Sequence, residues 1–529
     1  MLMIKINCDD KTKNTDDSMK ILEDALVLCR FGKFHIRLLA ASLCAAFAVM
    51  MVTTTSSYIL PVAECDLNMN IMYKGLLNAM PFFGQIGASL FTGFLIDAFG
   101  RKIFLVGGNA AIFVCTLIEG SSQNYWMLIF MKLLEGISMS LSFSAISTNL
   151  TEFCHKDIRD RTLMLYSGFM SLSLIVAALV SWAILPLKID IVFVKGYFEL
   201  HAWNIYLYVC SIWSFMGTIL FYNLPESPKY LLSHGQEKEA LEVVRIIYSE
   251  NTGNAKDTFP VTSFNVSCNS NPSNEMSLRR QLVNALYEVK ELFRKPLVFH
   301  LLLFSMISFI AFLGFTSLRL WYPQLSTIVE NFEKQNGETA RFCVMLTDYM
   351  QNLKVKHRNT TLLELTEPDV CVPKLSGSET YINGMILGFV SLIFVAITCY
   401  LVKYVSQKVL MFIFLITCSM TSAAMYWTST SIQIALLVSC TCAFIQTAFS
   451  LQQNLFVRVF PTTLRALAFS IIMVLGRLGS VVGNIIFPIL LETGCMAPFI
   501  LTSTITLCIS GVVYFLPGVN KENKEVGDK

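Results

Sequence analysis

Inside one long apolar stretch of the chain, Lys132 and Glu135 stand three residues apart, which puts both on one face of a helix. Near the centre of a bilayer each costs about 2.5 to 3.5 kcal/mol to insert, so the two are expected to pair. Such a pair either faces a solute pathway or is purely structural. Arg477, within Gly476-Arg477-Leu478-Gly479, has no partner in its own helix. Unless it reaches the membrane surface it needs a carboxylate across the bundle or an anionic ligand. The sequence offers no nucleophile with a base at working spacing and no metal-ligand spacing. An enzyme is therefore the least expected class, and no cofactor is implied.

The elements that position these residues follow from composition. Of 529 residues, 54% are hydrophobic and 15% charged, with a mean hydropathy of +0.58. A soluble chain carries about 25% charged residues, so this chain is read as a membrane protein whose solvent is the lipid bilayer. Its net charge of +3 is too small to suggest nucleic-acid binding. Apolar runs at 39–60, 76–96, 103–122, 125–148, 163–185, 203–222, 297–322, 381–402, 408–427, 431–456, 466–491 and 497–516 predict twelve spans. With both termini cytoplasmic, 28 Lys and Arg fall inside, 9 outside and 3 within spans, the sense of the positive-inside rule. No signal peptide is expected before span 1, which serves as the uncleaved signal.

This divides the chain into a cytoplasmic tail (1–38), a six-helix bundle (39–222), a cytoplasmic loop (223–296), a second six-helix bundle (297–516) and a cytoplasmic tail (517–529). Within the loop, His234–Tyr248 and Met276–Phe293 carry apolar residues at helical spacing and read as amphipathic helices. The Asn/Ser-rich stretch between them, Asn251 to Asn274, reads as a flexible linker. Most of the 16 cysteines fall inside apolar runs, where a thiol acts as a small hydrophobe. The outside loop at 323–380 holds Cys343 and Cys371, which could pair or remain free thiols, and the glycosylation sequon at Asn359. The sequons at Asn149 and Asn265 face the cytoplasm and are expected to stay unmodified.

Between spans 2 and 3 the chain reads Gly93-Phe94-Leu95-Ile96-Asp97-Ala98-Phe99-Gly100-Arg101-Lys102. Its glycines permit close helix approach and a tight turn, and Asp97 is placed to meet basic groups. The segment resembles the signature loop of the major facilitator superfamily. Glu152, Arg159 and Arg161 after span 4, Pro225-Glu226-Ser227-Pro228 after span 6 and Pro461-Thr462-Thr463-Leu464-Arg465 before span 11 are similar to its sugar and organic-ion carriers. Ser181-Trp182-Ala183-Ile184-Leu185-Pro186, His201-Ala202-Trp203 and Leu320-Trp321-Tyr322-Pro323 resemble the synaptic vesicle glycoprotein 2 family and its insect relatives.

The resemblance implies that Gly93, Asp97, Gly100, Arg101, Glu152, Arg159, Arg161 and Glu226 form a cytoplasmic network that latches the two halves when the outside is open. It implies a pathway role for Lys132, which with Gly136 stands where carriers keep Arg-x-x-x-Gly. It carries binding-site tryptophans onto Trp182 and Trp321, although an interfacial belt is the other reading of Trp321, and a third onto Phe449. The acid expected soon after is replaced by Gln453. In the second half Lys403 and Arg458 stand where the family has acids, and span 1 lacks the family's two acids, which leaves Glu135 as the strong candidate for a titrating group. The expectation is an all-α polytopic protein of twelve transmembrane helices with the major facilitator fold, a monomer in a vesicle or plasma membrane. It would move a small organic solute by alternating access. The alternative is a transport-silent receptor or regulator that keeps the fold.

Overall fold

Asn70 and Asn124, each with extended backbone dihedrals, cap the helices that follow them. The side-chain oxygen of Asn70 accepts the N–H of Tyr73 at 2.7 Å, and that of Asn124 accepts from Met127 at 2.8 Å, satisfying donors that a helix start leaves free. Gly100, with φ +93, stops the first of these helices and lets the next begin at Arg101. A computed structural model describes residues 11–194, 197–264, 292–295, 297–337, 339–362, 376–402, 404–460 and 464–516. The described chain forms α1 (Lys11–Leu28), α2 (Lys33–Ile59), α3 (Ile71–Phe99), α4 (Arg101–Gly120), α5 (Tyr125–Phe153), α6 (Lys156–Ile184), α7 (Ala202–Tyr222), α8 (Pro228–Ser233) and α9 (Glu237–Thr252). It continues with α10 (Leu297–Asn336), α11 (Phe342–Leu362), α12 (Ser378–Leu401), α13 (Gln407–Ala424), α14 (Ser431–Val459), α15 (Arg465–Thr493) and α16 (Ala497–Val513). A hairpin of β1 (Asp190–Val194) and β2 (Phe198–His201) joins α6 to α7.

All twelve expected spans fall on helices. Ten of these helices are long and apolar enough to cross a membrane, and eleven when α3, bent by 57° between Ser89 and Phe91, is taken as one span. Helix α16 has 17 residues, fewer than the roughly 20 that a span uses. The first half is α2 to α7; the second is α10 and α12 to α16. They meet where α3 packs on α15, α6 on α12 and α2 on α10.

The apolar clusters show which ends touch. Near the α3–α4 turn, one cluster joins α1, α8 and α9 to first-half residues such as Leu38, Leu150 and Phe153, and a separate one holds second-half residues such as Phe304, Leu455 and Phe460. At the opposite end the clusters mix halves, with Leu174 among second-half residues and Tyr381 among first-half ones. The bundle is thus sealed at the end of the α2–α3 connection and its halves part at the end of the α3–α4 turn.

Three expectations change. The start of the expected linker is folded: Phe259 and Phe264 are buried, and the N–H of Phe264 donates to Glu237 at 2.7 Å. The Asn251 side chain donates to the carbonyls of Cys29 and Arg30 and accepts the N–H of Phe34, so it locks the start of α2 to α9. Second, the N-terminal tail carries α1, whose Leu22, Ala25 and Leu26 pack on Val243, Val244 and Ile247 of α9. Third, Cys343 bonds not to Cys371 but to Cys495, with Cα atoms 5.4 Å apart. Helix α11 lies over the sealed end, where the N–H of Phe342 donates to the Thr428 carbonyl and its ring meets the edge of Phe499. That contact points the first turn of α11 at the α15–α16 connection, which contains Cys495. Cys65, in the α2–α3 connection, is also disulfide-bonded. Cys371, Asn265, Lys403, Pro461 to Thr463 and all but the last two residues of Met276–Phe293 lie outside the described residues. Asn359 falls in α11, and Asn149 is buried in α5.

Candidate functional site

Helix α5 carries Lys132 and Glu135 into the interior of the first half, where both are fully buried. Lys132 Nζ lies 2.8 Å from Glu135 Oε2 and 2.8 Å from Glu119 Oε1 on α4. It also donates to the Thr55 hydroxyl at 3.1 Å and the Val52 carbonyl at 3.2 Å, both on α2. The Thr116 hydroxyl donates to the other Glu135 oxygen. The expected pair is therefore a triad tying three helices together, with Glu119 as its third member. Fully ionised it carries a net charge of −1, and one proton on either acid neutralises it. A small cavity with room for about one water opens beside Glu135, lined by Ala48, Thr55, Ile112 and Cys210.

Arg477 does not meet Glu135. Its guanidinium reaches from α15 across the seam to the Gln85 carbonyl on α3 at 3.4 Å and the Ser140 hydroxyl on α5 at 3.3 Å. A second guanidinium crosses the same seam. Arg319 on α10 lies 3.3 Å from the Thr53 hydroxyl of α2 and 5.2 Å from the ring centre of Phe315, and its Nε has no partner. It lines a narrow cavity between the halves with Thr54, Ser57, Tyr58 and Tyr322. Among the described residues neither arginine has an ion-pair partner.

The aromatic candidates are not brought together. Trp182 is 42% exposed at the far end of α6. It lines neither of the two cavities described above. Trp321 lacks the exposure of a belt residue and lines neither cavity described above: it is buried, stacked on Phe487 at 5.3 Å and packed over Gly75 of the other half. Phe449 sits edge-on to Phe312 at 4.8 Å, within the second half. Gln453 is half-buried, whereas its neighbour Gln452 is buried and donates at 2.7 Å both to the Phe304 carbonyl and to the Ser308 hydroxyl.

At the parted end the signature residues do assemble. Arg101 pairs with Asp97 at 2.8 Å and Glu152 at 3.0 Å. The Glu226 carboxylate accepts the N–H groups of Arg101 at 3.1 Å and Lys102 at 3.1 and 3.2 Å, so it caps the start of α4, where the helix dipole favours an anion. A side chain on Gly100 would strike Glu226. Arg159 instead pairs with Glu23 of α1 at 2.7 Å, as does Lys229 at 2.6 Å. Burial acts to raise the Glu23 carboxyl, but the hydrogen bonds from Lys229 and Arg159 prevail and hold it below the usual carboxylate value. Arg161 is exposed and joins no ion pair among the described residues. Gly93 is exposed with open space around it, so it mediates no close helix approach.

Among the described residues every partner in this network belongs to the first half or to α1, so the expected latch between halves is not formed there; the Asp97 side chain is 73% exposed.

The sequence matches the Sugar (and other) transporter family over residues 30–323. Among curated proteins, synaptic vesicle glycoprotein 2A of Rattus norvegicus is 24% identical over 255 residues, 48% of this chain and 34% of that protein. Synaptic vesicle glycoprotein 2B of the same species is 25% identical over 320 residues, 56% of this chain and 46% of that protein. The chain thus spans between a third and a half of the length of these relatives. The inward-open xylose transporter XylE from E. coli shares the fold with a TM-score of 0.64 at 14% identity, covering 92% of this chain and 97% of the other. Its partially occluded inward-open form gives a TM-score of 0.61 at 13% identity, covering 92% and 100%.

Proposed function

Since the chain belongs to the sugar (and other) transporter family of the major facilitator superfamily, we propose that it carries a small organic solute across a membrane by alternating access. The observation that carries this reading is the asymmetry of the bundle. Its halves are sealed at one end and parted at the other, with two arginines on the seam between that have no ion-pair partner among the described residues. At the sealed end Lys74 of α3 pairs with Glu64 at 2.9 Å and reaches Gln324 of α10 at 3.3 Å, and Tyr58 of α2 stacks on Tyr381 of α12 at 6.1 Å. In the opposite state these contacts open while the Asp97 end closes. Several ion pairs made in one state and broken in the other shift such an equilibrium by about a few kcal/mol.

The parted end faces the cytoplasm, with both termini on that side, in a vesicle or plasma membrane. The charge bias supports this, and so does the position of Cys65, Cys343 and Cys495 at the sealed end, since disulfides persist in oxidising compartments. Glycosidase treatment should lower the mass of the expressed protein through Asn359, and Asn359→Gln should abolish that change. Modification at Asn265 would reverse the orientation.

The direct test combines saturable uptake of a metabolite library into vesicles of purified protein with labelling of single cysteines at the two mouths. Asp97→Asn removes an acid that would meet the second half in the inside-closed state, so labelling should rise at the inner mouth and fall at the outer. Unchanged labelling at both would end the latch role. A second reading, a transport-silent receptor, is favoured by Lys403 and Arg458 in place of acids; the absence of any saturable uptake would select it.

A further inference from the structure

We propose that the cavity between α2 and α10 binds a small organic anion, whose carboxylate pairs with Arg319 while its apolar part lies among Tyr58, Tyr322 and Leu387. This rests on the carrier reading and names its substrate class. Among the described residues three other buried cations are neutralised in place, Lys132 by Glu119 and Glu135, Lys74 by Glu64, and Arg101 by Asp97 and Glu152, whereas Arg477 and Arg319 have no carboxylate partner. Arg319 has one long bond to Thr53 and a ring face, and no carboxylate within ion-pair distance among the described residues. A guanidinium inside a membrane bundle is costly and persists where it is paired or lines a pathway. Arg319 is half-buried and lines the cavity.

Two further polar groups on that wall want a partner. The Ser57 hydroxyl and the Tyr322 hydroxyl are buried and hydrogen-bonded to nothing described. A carboxylate accepts from the guanidinium fork and from both hydroxyls, which settles three orphaned donors with one ligand. A neutral sugar offers hydroxyls to the same groups and leaves the charge uncompensated. Arg477, with no carboxylate partner among the described residues, is a second cation between the halves.

The cavity is narrow in this state, with room for no more than a few waters, so the ligand enters as the halves rock. Tyr58 and Tyr322 supply flat walls, which suits a planar acid.

The test uses the full chain in lipid nanodiscs, titrated at constant ionic strength with benzoate, its neutral isostere benzamide, the cation benzylamine, and xylose, following the melting temperature. Benzoate alone should raise it. Arg319→Gln should raise the melting temperature of the unliganded protein, because an uncompensated buried charge is gone, and should weaken benzoate by about tenfold or more, the loss of a charge-assisted pair. Arg319→Lys should fall between, keeping charge but not the fork. Tyr322→Phe should leave the unliganded protein as stable as before and weaken benzoate. Equal stabilisation by benzamide, stabilisation by xylose alone, no response to any of the four, or a strongly destabilised Arg319→Gln would each overturn the anion site, the last by showing that the guanidinium holds the fold. Labelled benzoate in proteoliposomes separates the two readings. Binding without uptake counts against alternating access and leaves the anion site standing; sugar uptake that benzoate does not inhibit does the reverse.

Discussion

Replacing Lys132 with methionine is expected to cost about 3 to 5 kcal/mol, the range for removing one partner of a buried ion pair, and to leave little monodisperse protein after mild heating in detergent. The ammonium is the sole cation within 4 Å of either Glu119 or Glu135 among the described residues, and all three side chains have no exposure to solvent. Without it, two like charges face each other in an apolar core, and the Thr55 hydroxyl and Val52 carbonyl lose a donor. Leaving buried charge without its partner is what makes the single change costly.

Glu119 also reorders the single variants. With only one acid, Glu135→Gln would strand Lys132. With two, Glu135→Gln leaves Lys132 and Glu119 as a neutral pair, so it should cost far less than Lys132→Met. Combining Lys132→Met with Glu135→Gln should remain poor because Glu119 is then alone, and adding Glu119→Gln should restore much of the loss. Arg477→Met should not rescue any of these, since Arg477 contacts Ser140 and Gln85 rather than either acid. A Lys132→Met protein as stable as Glu135→Gln would mean that the triad does not share charge as its distances indicate. The comparison reads out by fluorescence-detected size exclusion after a heat step.

Much of this architecture was open to a reader of the sequence, for reasons that differ by residue. Spans are fixed by composition over about 20 residues, so their centres fall where hydropathy puts them. Within the Asp97, Arg101, Glu152 and Glu226 network only the Asp97–Arg101 spacing is local; Glu226 lies 125 residues from Arg101 in sequence, and the family resemblance rather than spacing pointed to it and to Glu152. What depends on helix rotation or on a distant segment was not legible. Glu119 sits in an apolar run and acquires meaning only because α4 packs beside α5. Arg319 is one of three basic residues within spans, yet its place on the seam comes from the pairing of α10 with α2. Gln452 and Gln453 differ by one residue, and about 100° of rotation decides which is bonded to α10. Glu23 required α1 to dock on α9, and the partner of Cys343 lies 152 residues away.

Gly136→Val is the second large effect expected, and it divides residues that the motifs treat alike. Substituting the exposed Gly93 by alanine should be neutral or stabilising by up to about 1 kcal/mol, the helix-propensity difference, because nothing lies within 4 Å of the added carbon. At Gly136 the added carbon would overlap the backbone carbonyl of Pro81 on α3, and the reciprocal site, Gly84 on α3, is closed by the Leu133 carbonyl of α5. Overpacking costs about 1 to 3 kcal/mol where side chains can shift; here the obstacle is backbone on both sides, so whole helices must separate and the loss should exceed that range. The direction of that displacement matters. Helix α3 lies between α5 of its own half and α15 of the other, so pushing it from α5 drives it into the surface that carries Arg477 and strains the Gln85 contact that spans the seam. A protein that folds should therefore lose stability and change the balance between its two open states together, seen as altered labelling of cysteines at the two mouths. Wild-type stability in Gly136→Val would show that the α3–α5 crossing is looser than drawn, while instability with unchanged labelling would show that α3 relaxes without reaching the other half.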